Sequence, residues 1–158
     1  MEALSEEEAE LEEILAGIEA ADQGYVIDSR VRKAIEAQAM KLAREHFESL
    51  EYQVKDVSRN HSFDLLCRKG DEVLQVEVKG TTSDGSSVLM SKNEVELAKA
   101  GKTVLFRVAN IEVTREPDGP TAVGGACTLF EAFVPTERSL QAMAYRVSLM
   151  DVDGIDLG

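Results

Sequence analysis

The chain has 158 residues, 44% of them apolar, and a formal net charge of −13. That is enough for one compact domain with a core and little room for a second. No run of 18 apolar residues offers a membrane span, the acidic N-terminus does not read as a signal peptide, and Cys67 and Cys127 are too isolated for a disulfide framework or a zinc knuckle. A cytoplasmic protein with no membrane partner is expected, and one that no global field draws to a polyanion.

Residues 1–22 hold nine carboxylates and no Lys or Arg, whereas the other 136 carry 21 acids against 17 bases. In 4-LSEEEAELEEILAGIEA-20, Leu4, Leu11, Leu15 and Ile18 share a face, and Ser5 with Glu8 resembles a capping box. The spacing predicts an acidic amphipathic helix over 1–24, an accessory element for pairing with a copy of itself or with a protein partner. The main domain is expected over 25–158.

A second helix is predicted from Asp28 or Ser29 to about Leu50, with Val31, Ile35, Ala39, Leu42 and His46 at helical spacing. Strands follow at 52–58, 62–68 and 73–79, then a Gly/Ser-rich loop at 80–87 and a short strand at 88–90. Ser91 and Glu94 predict a capping box for a helix ending near Ala100. The segment 102–114 reads as a strand bent near Asn110, 115–125 as a turn-rich loop, and 128–134 and 143–152 as the last strands. This order is α/β, a mixed sheet flanked by helices with one face covered and one partly open.

Between two strand patterns, 68-RKGDEV-73 places Gly70-Asp71 as a type II′ two-residue turn. Paired positions then sum to 141, which sets Asp64 opposite Glu77. Phe63, Leu65, Cys67, Leu74, Val76 and Val78 fall on one face; Asp64, Gln75, Glu77 and Lys79 fall on the other. Two facing carboxylates are unfavourable unless a divalent cation lies between them. Lys79 could then orient an attacking water or neutralise a phosphorane oxygen, and the Val78 carbonyl could add a ligand. The alternative is a solvated edge on which Lys79 offsets the acids.

Residues 59-RNHSFDLLCRKGDEVLQVEVKGTTSDGSSVLMSKNEVELA-98, with 32-RKAIEAQAMKLAREHF-47 before them, resemble the NO VEIN C-terminal-like domain. That domain is grouped with the PD-(D/E)xK nuclease-like superfamily, near the Mrr-type restriction endonucleases. The resemblance runs from Arg32 to Val108 and rests on "VEVKGTT" followed by "NEVELA". It implies a restriction-endonuclease-like fold, with Asp64 as the motif Asp, Glu77 and Lys79 as the ExK, and Glu36 as the helix carboxylate of the metal site. It also implies a restriction or defence setting. With the paired acids this leads to the expectation of Mg²⁺, or Mn²⁺ in its place, DNA as substrate, and a homodimer, since cutting both strands of a duplex needs two sites. The residues present are expected to depart from the usual pattern, since no helicase, ATPase or DNA-reading motif is read among them. A catalytically inactive nuclease fold kept as an interaction or regulatory subunit is the second reading.

Other residues have competing readings. Glu36 follows Arg32 by four, which also fits a surface ion pair. Gln75 could contact substrate or fill space; Thr81 and Thr82 could hold a phosphate or belong to an ordinary loop. Lys92 and Asn93, at a helix start, could meet a DNA backbone, with Lys55 and Arg59 adding charge. His46 and His61 form no metal pair by spacing, and the Gly124-Gly125 pair reads as a loop.

Overall fold

The structure, a computed structural model, describes residues 29–142 and 148–157. The expected acidic helix over 1–24 lies outside them. Helix α1 (Ser29–Ser49) is followed by β1 (Gln53–Asp56), β2 (Leu65–Lys69), β3 (Glu72–Gly80), α2 (Lys92–Lys99) and β4 (Thr103–Ala109). Strands β5 (Glu112–Glu116), β6 (Gly119–Val123) and β7 (Ala126–Phe130) complete the sheets. One five-stranded mixed sheet has the order β1-β2-β3-β4-β7, and β5 and β6 form a separate two-stranded ribbon. The fold class is α/β, as expected.

Helix α1 buries Val31, Ile35, Ala39, Ala43 and Phe47, an unbroken i, i+4 row. The row expected from sequence drifted to Leu42 and His46, which are only half-buried; the small Ala43 and the ring of Phe47 are what the sheet accepts. This stripe packs on Leu65, Cys67, Val76, Val78, Val104, Phe106 and Val108, the apolar face of the central strands. His46 sits among the rings, 5.0 Å from Phe47 and 5.4 Å from Phe106.

The β2–β3 hairpin has the expected register, from Lys69↔Glu72 to Leu65↔Val76. Gly70 takes φ +58 while Asp71 stays out of the left-handed region, the signature of a type II′ turn. Strands β3 and β4 then run parallel, with Glu77 beside Leu105 and Lys79 beside Arg107. Helix α2 makes the crossover between them.

Gly80, at the end of β3, marks a close approach of strand to helix. A Cβ there would lie 2.7 Å from Ala39 Cβ and 3.2 Å from the Ile35 carbonyl oxygen. Replacing Gly80 by alanine is therefore expected to cost about 1–3 kcal/mol, since α1 must shift to relieve the overlap. A thermal melt of Gly80→Ala checks this.

Four expected elements differ. Residues 88–90 form no strand; they cross the site as half-buried loop. The expected loop over 115–125 is mostly the β5–β6 hairpin, turning at Pro117-Asp118. The single bent strand over 102–114 is two strands, broken where Asn110 takes φ +54. Of the expected strand over 143–152, residues 143–147 lie outside the described residues, and 148–152 are turn and coil. Among the described residues no helix is long and apolar enough to cross a membrane.

Candidate functional site

Asp64 directly precedes β2 in a two-against-one arrangement. Its N–H donates to the Val76 carbonyl at 2.9 Å, although Val76 is already the ladder partner of Leu65. That is the geometry of a β-bulge, a device that re-aims a side chain. The expected direct pairing of Asp64 with Glu77 is therefore displaced. The Asp64 carboxylate instead accepts the Val78 N–H at 2.8 Å, so it is fixed to the backbone next to Glu77.

The face that carries Glu77 is not open. Glu77 is 2% exposed, which removes the reading of these acids as a solvated edge. Lys79 lies 3.3 Å from Glu77 Oε1 and 3.3 Å from both oxygens of Glu94. Glu94 comes from α2, where it also accepts the Ser91 N–H at 2.6 Å while Ser91 Oγ accepts the Glu94 N–H. The capping box expected from sequence is thus complete. One buried ammonium bridges a strand carboxylate and a helix carboxylate.

Burial pushes the Asp64 carboxyl up to about 6, against the opposing pull of the Val78 N–H and Lys79. Burial also pushes Glu77 well above the usual range, with Lys79 working against it and Asp64 and Glu94 adding to it. Glu94 goes the other way: burial raises it, but Lys79, a proton shared from Glu77 and the Ser91 N–H together hold it below its ordinary value. Burial works to lower the Lys79 ammonium, and the carboxylates of Glu77, Glu94 and Asp64 overcome it, so Lys79 stays protonated.

A cleft of about 490 Å³ opens over these groups. Asp64, Glu77, Val78, Lys79 and Glu94 line it from the sheet and α2, Lys33 and Glu36 from α1, and Leu89 from the loop. Five acids and two bases face it, counting Asp56, so the bare cleft is repulsive to a polyanion.

Glu77 Oε2 is buried and has no hydrogen-bond donor. A buried carboxyl oxygen in that condition is met by a proton, which the raised Glu77 carboxyl holds, or by a cation that displaces that proton. Two carboxylates at a cleft floor suit Mg²⁺, which is held by one or two acids and completes its shell with water and substrate oxygens. Among the described residues no three His, Cys, Asp or Glu side chains are gathered into a metal cage.

The remaining sequence-predicted residues are spread more widely. Glu36 reaches the cleft wall, two-thirds exposed and 4.0 Å from Arg32. Gln75 is half-buried beside Thr103 with its Oε1 unpaired, and it does not line the cleft. Lys92 is exposed and pairs with Glu96 at 3.8 Å. Asn93 is half-buried and likewise off the cleft lining. Thr81 is buried, its Oγ1 bonded to Ser83 Oγ at 2.9 Å and its N–H to the Val108 carbonyl at 2.9 Å, which knots the loop to β4.

Two participants were not singled out from sequence as site residues. Glu94 was read only as a cap, and Lys33 not at all. Arg107 lies beside Lys79 in the sheet but is committed elsewhere, donating to the Gly85 carbonyl at 2.7 Å and to Thr128 Oγ1 at 3.0 Å.

No curated protein and no solved structure matches the chain. The family model described as Protein NO VEIN, C-terminal, matches residues 35–121, which include α1 from Ile35 onward, the bulged hairpin, Glu94 and the β4 strand. Over more than half its length the chain carries that domain, and it belongs to the NO VEIN C-terminal family.

Proposed function

We propose that the chain is a divalent-metal-dependent nuclease that hydrolyses phosphodiesters in DNA, within a restriction-endonuclease-like fold. The observation that carries this reading is the orphaned, buried Glu77 Oε2 beside Asp64 and Lys79 at the floor of an acidic cleft. Asp64 and Glu77 would hold Mg²⁺ or Mn²⁺, with the Val78 carbonyl as a further oxygen. Glu36 would join by turning from Arg32, a step with little cost because an exposed i, i+4 pair contributes only about 0.3–0.5 kcal/mol. When bound, the metal supplies Lewis-acid polarisation of a phosphoryl oxygen and an acidified water.

The protein's own groups set the rest. Asp64 is oriented by the Val78 N–H and lines the cleft. Lys79, kept as an ammonium, has no lone pair with which to take a proton from water. Its part is to place positive charge where the phosphorane oxygen develops charge. Neutralising the acid floor would also let a polyanion approach a cleft that otherwise repels it.

The inactive-module reading keeps one observation in its favour: Lys79 already pairs with both Glu77 and Glu94. Incubating supercoiled and linear DNA with the full chain in Mg²⁺ and in Mn²⁺, with Glu77→Ala and Lys79→Ala as controls, separates the two. Metal-dependent nicking lost in both variants supports hydrolysis. Intact DNA under every condition, or cutting that survives both substitutions, overturns it and leaves the inactive module.

A further inference from the structure

We infer that Glu94 is the positioning residue of this site: a helix-capping carboxylate that aims Lys79 into the cleft. The inference deepens the phosphodiesterase reading and takes its catalytic meaning from it. The geometry is its basis. Glu94 Oε2 is fixed by the Ser91 N–H at 2.6 Å, and both its oxygens lie 3.3 Å from Lys79 Nζ. Its side chain is 11% exposed, far more enclosed than the neighbouring helix acid Glu96 at 62%. An N3 glutamate needs only to reach back to its own cap. Glu94 does that and also meets a strand lysine fifteen residues away.

The second partner of Lys79 explains why such a residue is useful. Glu77 Oε1 also lies 3.3 Å from Nζ, but the other oxygen of Glu77 has no hydrogen-bond partner and on the proposed function would take the cation. Once Glu77 shares its charge with a cation, its hold on Lys79 weakens. Glu94 then keeps the ammonium in place, and because it is anchored to the first turn of α2 it cannot follow Lys79 if the lysine swings away. The capping box therefore links the start of α2 to the reacting end of β3.

Glutamine at position 94 separates the two roles, since a capping box accepts Glu or Gln at N3 while only Glu carries charge. In the full chain with ¹⁵N-labelled lysine and no added metal, nuclear magnetic resonance should show one side-chain ammonium protected from solvent exchange. Its disappearance in Lys79→Arg assigns it. In Glu94→Gln the same signal is expected to vanish or exchange at least about tenfold faster, as a buried ammonium does on losing an ionised partner, while the capping box that glutamine also completes keeps the chain folded. In the DNA-cleavage assay kcat should fall by about tenfold or more with KM little changed, the pattern of a misaimed group. A protected ammonium that persists in Glu94→Gln overturns the inference and leaves Glu94 a helix cap. Loss of the signal when no variant, wild type included, cuts DNA upholds Glu94 as the residue that places Lys79 and counts against the hydrolytic reading instead.

Discussion

Replacing Lys79 by alanine is expected to lower Mg²⁺-dependent DNA cleavage by about a hundred- to a thousandfold, the usual cost of removing one preorganised charge donor at a developing oxyanion. The substitution leaves Glu77 and Glu94 close together in a buried site with no cation of the protein's own between them. Metal affinity should therefore hold or rise while turnover falls, and that split identifies Lys79 as a group acting on the transition state. A parallel loss of binding and turnover would mean that the site had collapsed. The activity of the unsubstituted chain should also depend on acid. Burial raises Asp64 to about 6 and Glu77 well above the ordinary carboxylate range, so as pH falls through these raised values protons compete with the metal, at Asp64 from about pH 6, and cleavage declines. A rate profile between pH 5 and 8 measures this.

Substituting Glu77 with glutamine is expected to stabilise the metal-free chain at pH 7.5, by about 1–3 kcal/mol. The folded state raises the affinity of Glu77 for its proton, so this group favours folding fully below its ordinary carboxylate value. That contribution is lost as pH rises through the raised value. Glutamine carries no such penalty at high pH and keeps the shape of the protonated acid. The melting temperature should rise by about 2–4 °C for each kcal/mol in a domain of this size, and the gain should shrink toward zero near pH 4.5. Glu94 has the opposite sign: its stabilising contribution is present above its ordinary value and fades as pH falls. Because Glu77 and Glu94 share a proton, the difference between the two proteins reports Glu77 together with its coupling to Glu94. Millimolar Mg²⁺ should reverse the order by raising the melting temperature of the native sequence alone. A Glu77→Gln variant that is less stable than the native chain at pH 7.5 without metal would show that the acid is held for its ion pair with Lys79.

Much of this site was legible in the sequence because its skeleton is local. The Gly70-Asp71 turn fixes the β2–β3 register, and the alternation of Leu74, Val76 and Val78 with Gln75, Glu77 and Lys79 sorts the faces. Ser91 and Glu94 announce the helix start. What the alternation does not encode is the bulge at Asp64, which is set by hydrogen bonds to Val76 and Val78. Nor does it encode burial. Glu77 is enclosed because α2 and the loop over 81–91 cover its face, and that loop is held by Thr81, Asn110 and Arg107 through contacts far apart in the chain. Glu94 left a signal that was read for half its meaning, since its capping role is local and its contact with Lys79 is not. The β5–β6 hairpin was hidden by Pro117 and Pro120, although Pro117-Asp118-Gly119 is a turn sequence in its own right. Pro120 is tolerated because the ribbon has only two strands, each with a free edge.

Divalent-cation binding by Asp64 and Glu77 is the step on which the proposed hydrolysis depends. Titrating the full chain with Mn²⁺ at pH 7.5, and following the free ion by electron paramagnetic resonance, tests it without depending on a substrate. Saturable binding is predicted, weakened by about tenfold or more in Glu77→Gln and released as the pH falls below about 6. Binding that is equally strong in Glu77→Gln, or no binding at millimolar Mn²⁺, would contradict the account.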